Sequence, residues 1–309
     1  METGTRRING IKSLLQWLIG ITFIVSAILK LISIDQFDLY IYSFGIFNFT
    51  WGSFLSRVLI AFELLLGLLL ISRLYYRKVW YLTLITMIGF TLFLIYTAIF
   101  RNDSNCHCFG SLVEISPVES IVKNLILIAL LFFVYKQKEL AIKRKGLITS
   151  IGSVVTFATI FIVSSPDNLY NALYRPKTQI NNEALELILQ DSLLVEISNF
   201  DNHQIVAIFI PKCKYCHLSM QRLASIFERH QLDHNLLKII IVGNSKAVDF
   251  FQKETQIDSY PIQYYPNPVL VIKAIDRKFP AILFMEGKTV KKTVNYRGIN
   301  EKLILDHLQ

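Results

Sequence analysis

At 309 residues the chain has room for two domains of ordinary size, and 53% hydrophobic content with a mean hydropathy of +0.44 excludes a wholly soluble protein. The net charge of +9 gathers largely in alternate loops between apolar runs, so it reads as a topology signal and argues against nucleic acid as a partner. The four cysteines fall in two close pairs, Cys106 with Cys108 and Cys213 with Cys216, and leave no stray thiol.

Five runs before about Ser165 are long enough to cross the roughly 30 Å hydrocarbon layer as helices. They are Ile11 to Ile34, Phe54 to Ile71, Val79 to Phe100, Val118 to Tyr135 and Leu147 to Val163. The first follows Arg6, Arg7 and Lys12 as a secretory signal would, but its apolar core is too long and no cleavage site follows, so it is a retained span. The fifth, rich in Ser, Thr and Gly, has an interfacial helix as its alternative. Basic residues precede the first run (Arg6, Arg7, Lys12), join the second to the third (Arg73, Arg77, Lys78) and join the fourth to the fifth (Lys136, Lys138, Lys143, Arg144, Lys145). Those segments belong on the cytoplasmic side. The loops "DQFDLYIYSFGIFNFT" and "RNDSNCHCFGSLVEISP" then lie outside, as does everything after Ser165, and all four cysteines share a compartment where disulfides persist.

From Asp201 onward strands and helices alternate. "QIVAIFI" and "LKIIIVG" read as buried strands, "CHLSMQRLASIFERH" as a helix, and "SKAVDFFQKE" as a helix capped by Ser245. "NPVLVIKAID" is a helix with Pro268 in its first turn, "AILFMEGKTVKKTVNYRG" a hairpin turning at Glu286 and Gly287, and "NEKLILDHL" a last helix. The "KCKYC" stretch sits between a strand and its following helix. Unpaired N–H groups and the positive end of the dipole there stabilise a thiolate, and a second cysteine three residues on lies one turn away. Cys213 is therefore the expected attacking sulfur and Cys216 the resolving one, with Lys212, Lys214 and His217 adding positive surroundings.

The Cys-x-x-Cys after a strand and the proline of "KFPAILFMEGK" make residues 182–309 resemble the thioredoxin-like family. That resemblance implies a cis proline facing the dithiol, here Pro280. The chain departs from it in having Lys212 before the pair and Lys214 with Tyr215 inside it, so redox potential and partner preference do not carry over. Other readings of the same residues stay open: Cys213 to His217 also spells a c-type haem attachment pattern, the cysteines with His217 form half a zinc site, and the pair could be a structural disulfide.

The membrane half, through "CHCFG", "FIVSAILKL" and "ELLLGLLL", resembles the MauE and DoxX group of membrane proteins over roughly the first 140 residues. The resemblance implies a four-helix bundle associated with disulfide chemistry or redox maturation of exported proteins. Cys106 and Cys108 are too close for a relaxed bridge, and an ordinary loop tie or a metal-holding pair is the alternative to exchange. Ionisable residues inside spans are costly and often functional. Glu63, about 18 Å of helical rise beyond Trp51, is read as a proton or cofactor-binding site, with an interhelical hydrogen bond by a protonated carboxyl as the alternative. Lys30, Arg57 and Lys123 are read as cations near a Cys106 or Cys108 thiolate, with snorkelling to lipid headgroups as their alternative.

The expectation is thus an α-helical transmembrane bundle of four helices (1–145) plus a fifth linking span (146–165), a linker (166–181) and an extracytoplasmic α/β thioredoxin-like domain (182–309). It is expected to be a multi-pass protein of the inner membrane with a cytoplasmic N-terminus and a periplasmic C-terminal domain. Its activity is expected to be that of a thiol-disulfide oxidoreductase acting on the thiols or disulfides of exported proteins. In it Cys213 and Cys216 exchange with Cys106 and Cys108, an intramolecular step that a weak docking surface suffices to support. No metal and no tightly bound cofactor are expected, but net turnover needs an electron partner, for which a lipid-soluble quinone is the natural candidate by analogy with vitamin K epoxide reductase relatives. A metallochaperone using the same cysteines, or a scaffold with structural cysteines, are the competing functions.

Overall fold

The computed structural model describes residues 2–101, 115–135, 137, 139–174, 180–194 and 203–308. Cys106 and Cys108 lie outside the described residues. The chain divides into two units: Met1–Ile41 with Trp51–Pro166, and Tyr42–Thr50 with Asp167–Gln309.

The first unit is helical. Its elements are α1 (Glu2–Ile32), α2 (Ile34–Tyr42), α3 (Phe49–Ser72), α4 (Tyr76–Tyr96) continued by a π-helical turn (Thr97–Arg101), α5 (Pro117–Phe133) and α6 (Lys145–Val163). Four stretches among the described residues are long and apolar enough to cross a membrane: Gly10–Ile32, Phe49–Ser72, Tyr76–Arg101 and Lys145–Val163. The fourth run of the sequence forms α5, whose 17 residues rise only about 25 Å, the short end of the spanning range. The outer loop expected between the first two runs contains α2 instead. Ile34, Phe37, Asp38 and Ile41 are buried at helical spacing, so this segment is an amphipathic helix and no mere connection.

Packing between α1 and α3 depends on two glycines. A Cβ on Gly67 would lie 2.7 Å from the Gly20 carbonyl oxygen, and one on Gly20 would lie 3.0 Å from that of Gly67. The backbones approach this closely only because neither residue has a side chain, the usual device where lipid gives no hydrophobic drive for association. α4 is fixed to the end of α5 by Tyr76, which donates to the Val134 carbonyl at 2.8 Å, and by Trp80, whose Nε1 donates to the Leu131 carbonyl at 2.7 Å. Ser116 and Glu119 close a reciprocal capping box at the start of α5, with Pro117 as its first residue. Large apolar side chains such as Ile85, Leu92, Val154 and Ile162 remain exposed, as a lipid-facing surface requires.

The second unit is a mixed α/β domain. Its helices are α7 (Asp167–Tyr174), α8 (Asn182–Leu189), α9 (Lys214–Arg229), α10 (Ser245–Thr255), α11 (Pro268–Ala274) and α12 (Glu301–Leu308). Its strands are β1 (His203–Phe209), β2 (Leu237–Val242), β3 (Ile262–Tyr265), β4 (Ala281–Glu286) and β5 (Thr289–Val294). The sheet order is β3-β2-β1-β4-β5, with β1, β2 and β3 parallel and β4 and β5 antiparallel to their neighbours. Strand alternation splits the core between two faces. Val206, Ile208, Ile240 and Leu283 pack with Ile188 of α8 and Val271 of α11, while Phe209 on the other face stacks on Phe251 of α10. Six of the seven β1 residues are buried, the mark of a central strand covered on both sides.

Local chemistry differs from the sequence expectation in two places. The cap of α10 is Asn244, whose side chain accepts from Ala247 N–H, and Ser245 is the first helical residue. The hairpin turns at Gly287, with φ +54, and Lys288, one residue later than expected, and a bulge lies between Phe284 and Met285.

Tyr42–Thr50, encoded between α2 and α3, forms a strap within the second unit. Gly45, at φ +75, turns it by donating to the Tyr42 carbonyl at 3.0 Å, and the Tyr42 and Phe49 rings stack 3.8 Å apart. On α9, Arg229 donates to the carbonyls of Gly45 at 2.6 Å and Phe47 at 2.8 Å, and its guanidinium lies 4.6 Å from the Tyr42 ring.

Candidate dithiol active site

β1 ends at Phe209, and after three intervening residues Cys213 caps α9. Extended backbone at φ −94 and ψ 114 lets the Cys213 sulfur accept from Cys216 N–H at 3.3 Å, while its carbonyl accepts from the same N–H at 3.0 Å and from His217 N–H at 3.1 Å. The sulfur therefore stands where the helix's unpaired N–H groups are directed. Cys213 is half-buried, Cys216 is fully buried, and no disulfide joins them. Burial pushes the Cys216 thiol far up, and its hydrogen bond with Cys213 adds to the effect. Of the two sulfurs, that of Cys213 is the more accessible, and burial disfavours the thiolate of Cys216.

The Phe279–Pro280 peptide bond is cis. Ile208 of β1 pairs with Ala281 of β4, so Pro280, just before β4, lies at the sheet end from which the Cys213 loop leaves. His217, expected to act on the sulfurs, directs its Nε2 to the Pro211 carbonyl at 2.5 Å and packs its ring 5.1 Å from Phe251. Lys212 and Lys214 are exposed, the latter 5.9 Å from the Tyr215 ring. Among the described residues no cluster of three or more His, Cys, Asp or Glu has the arrangement of a metal site.

In the helical unit the ionisable residues singled out from the sequence have partners that the sequence did not assign. Glu63 accepts from Lys30 at 2.6 Å and from Ser26 at 2.9 Å, and Lys30 also donates to Ser26 at 2.9 Å. Each carboxylate oxygen has a partner inside the protein, and Lys30 pairs with this carboxylate; its expected proximity to Cys106 or Cys108 falls on residues outside the described ones. Arg57 is likewise committed, to Asp38 at 2.6 Å, to the Ser53 carbonyl at 2.8 Å and to the Ser164 carbonyl at 3.0 Å. These bonds fix α3 to α2 and to the end of α6. Lys123 is half-buried on α5. The partner of Arg57 was missed because Asp38 lies in what read as a loop; the buried helical spacing of α2 was the available signal.

The chain matches the model of the family described as methylamine utilisation protein MauE over residues 8–137. It is also similar to Protein TlpB of Flavobacterium psychrophilum, at 25% identity over 297 residues that cover 79% of this chain and 80% of that protein. The chain is thus a membrane protein whose helical half is similar to MauE, joined to a mixed α/β domain that carries a Cys-x-x-Cys helix cap.

Proposed function

We propose that the chain is a membrane-anchored thiol-disulfide oxidoreductase whose second unit is a thioredoxin-like domain acting on exported proteins. The observation that carries this reading is the asymmetry of the pair: Cys213 half-exposed at the cap of α9, Cys216 fully buried one turn behind it. The similarity to MauE and to TlpB over most of the chain supports a single membrane-bound device.

In the reducing direction the Cys213 thiolate attacks one sulfur of a substrate disulfide. The substrate S–S bond breaks, a mixed disulfide forms and one substrate sulfur leaves as a thiolate. Cys216 then attacks the Cys213 sulfur and its proton passes to a departing substrate sulfur. The second substrate thiol is released, Cys213–Cys216 becomes the disulfide, and two electrons have moved to the substrate. The same steps in reverse oxidise a dithiol, and the relative potentials of the pair and its partner set the direction. The oxidised pair is returned by exchange with Cys106 and Cys108, with α5 serving as a further span and the dithiol on the periplasmic side of the inner membrane. Net turnover then takes a lipid-soluble quinone couple as electron partner, the quinol giving up two electrons in the reducing direction and the quinone accepting them in the reverse. Glu63, read from the sequence as a proton or cofactor-binding site, accepts from Lys30 and Ser26, and this reading assigns the quinone no contact residue.

Replacing Cys216 by Ser tests the proposal. A trapped mixed disulfide between Cys213 and a substrate protein, and a second one with Cys106 or Cys108, is the expected result, visible on non-reducing gels. Stoichiometric zinc or copper on the reduced protein with no mixed disulfide would replace the reading with metal carriage.

A further inference from the structure

We infer that Arg222 is a positioning residue that links the strap Tyr42–Thr50 to Tyr215, the residue between the two cysteines, and so governs which protein disulfides reach Cys213. The inference rests on the oxidoreductase reading of the dithiol.

Arg222 lies on α9 six residues beyond Cys216 and is 4% exposed. A cation this buried needs an anion and well-shaped neighbours, and it has both. Its Nη1 pairs with Asp167 of α7 at 2.6 Å and donates to the Tyr296 carbonyl at 3.4 Å. The guanidinium carbon lies 4.1 Å from the centre of the Phe49 ring in the strap and 5.4 Å from that of Tyr296. Tyr296, in the 3-10 turn Tyr296–Gly298, brings its own ring to 5.5 Å from Tyr215. Phe49, Arg222, Tyr296 and Tyr215 thus form one continuous series of ring and guanidinium contacts, the two tyrosine rings tilted by 40°, from the strap to the Cys-x-x-Cys itself.

Tyr215 is 44% exposed beside the half-buried Cys213. A protein disulfide seated on that sulfur meets the Tyr215 ring, whereas a small thiol reagent does not need it. Displacing the ring therefore alters recognition of a macromolecular partner and leaves the intrinsic reactivity of the sulfur alone. A broad, flat cation is expected to matter at position 222, because a lysine retains the charge but not a guanidinium that reaches both rings while it pairs with Asp167.

The test uses the full-length protein in nanodiscs, labelled with 3-fluorotyrosine, with the Tyr215 fluorine resonance assigned by its loss in Tyr215→Phe. Phe49→Leu and Arg222→Lys should each move that resonance. Each should raise KM for a protein disulfide about fivefold, with kcat and the iodoacetamide alkylation rate of Cys213 unchanged. Adding Phe49→Leu to Tyr215→Leu should change KM no further than Tyr215→Leu alone. A Tyr215 resonance indifferent to both substitutions, or a fall in kcat and alkylation in place of the rise in KM, overturns the inference. Phe49→Leu, which keeps the apolar volume, carries the test if Arg222→Lys does not fold. A wild-type protein that exchanges no disulfide defeats the oxidoreductase reading, while the resonance still decides the coupling.

Discussion

The helical unit and the dithiol site bury ionisable groups in opposite ways, although the sheet unit also has a matched pair of its own in Arg222 and Asp167. In the first, charge is kept and matched: Lys30 faces Glu63 and Arg57 faces Asp38, each pair at 2.6 Å with hydroxyls or carbonyls completing the set. In the second, Cys216 avoids charge altogether by holding its proton, since burial pushes its thiol far up. A matched pair acts as a fastener between helices, whereas under the proposed function a neutral buried thiol reacts only once its neighbour has taken a partner. Burial of an ionisable group therefore does not by itself mark a reactive centre; whether its charge is already answered does.

The largest expected effect breaks the matching. Glu63→Gln leaves the Lys30 ammonium buried without its anion and should cost about 3–5 kcal/mol, read as a fall in thermal midpoint in detergent. Lys30→Met combined with Glu63→Leu should recover most of that loss. A neutral Glu63→Gln would mean that the pair is not what fastens α1 to α3. A smaller effect, about 1–3 kcal/mol, is expected from Gly67→Ala, whose new methyl would meet the Gly20 carbonyl oxygen and the Ile24 side chain and backbone. It should lower the same midpoint without touching alkylation of Cys213, which sharpens the separation between fastening and chemistry. The smallest effect concerns Tyr42 in the strap, whose phenol burial pushes up to about 12. The folded state binds that proton more tightly than the unfolded chain, so its contribution is complete below about pH 10 and lost as pH rises from there toward 12. Tyr42→Phe should flatten this part of the alkaline unfolding profile, followed by near-ultraviolet circular dichroism; an unchanged profile would show that Tyr42 does not titrate with unfolding.

Much of the fold was legible because long apolar runs and short buried strands carry strong patterns. "QIVAIFI", "LKIIIVG" and "AILFME" fall where β1, β2 and β4 form, and the Cys213 cap was readable from its place between strand and helix. What escaped did so for physical reasons. β3 has only four residues, with one buried, and gives no alternation to detect. α2 was hidden because Asp35 and Asp38 interrupt an otherwise apolar segment, and only its buried spacing marks it as a helix. The pairings Lys30 with Glu63 and Arg57 with Asp38 join residues 33 and 19 positions apart, set by helix packing that no local pattern encodes. The strap was equally invisible, since Arg222 and Phe49 stand far apart in the chain and read singly as an ordinary helix-surface cation and a loop aromatic.

The strap has a consequence for how the polypeptide can be divided. The backbone passes between the two units three times, after Ile41, after Thr50 and after Pro166. A fragment beginning at Asp167 would therefore lack nine residues of its own unit and would present Arg222, Arg229 and the faces they stack on to bulk water. Genetic excision of the dithiol half is not a cut at a hinge, and only a fragment that also carries a grafted or added copy of Tyr42–Thr50 would keep that surface closed.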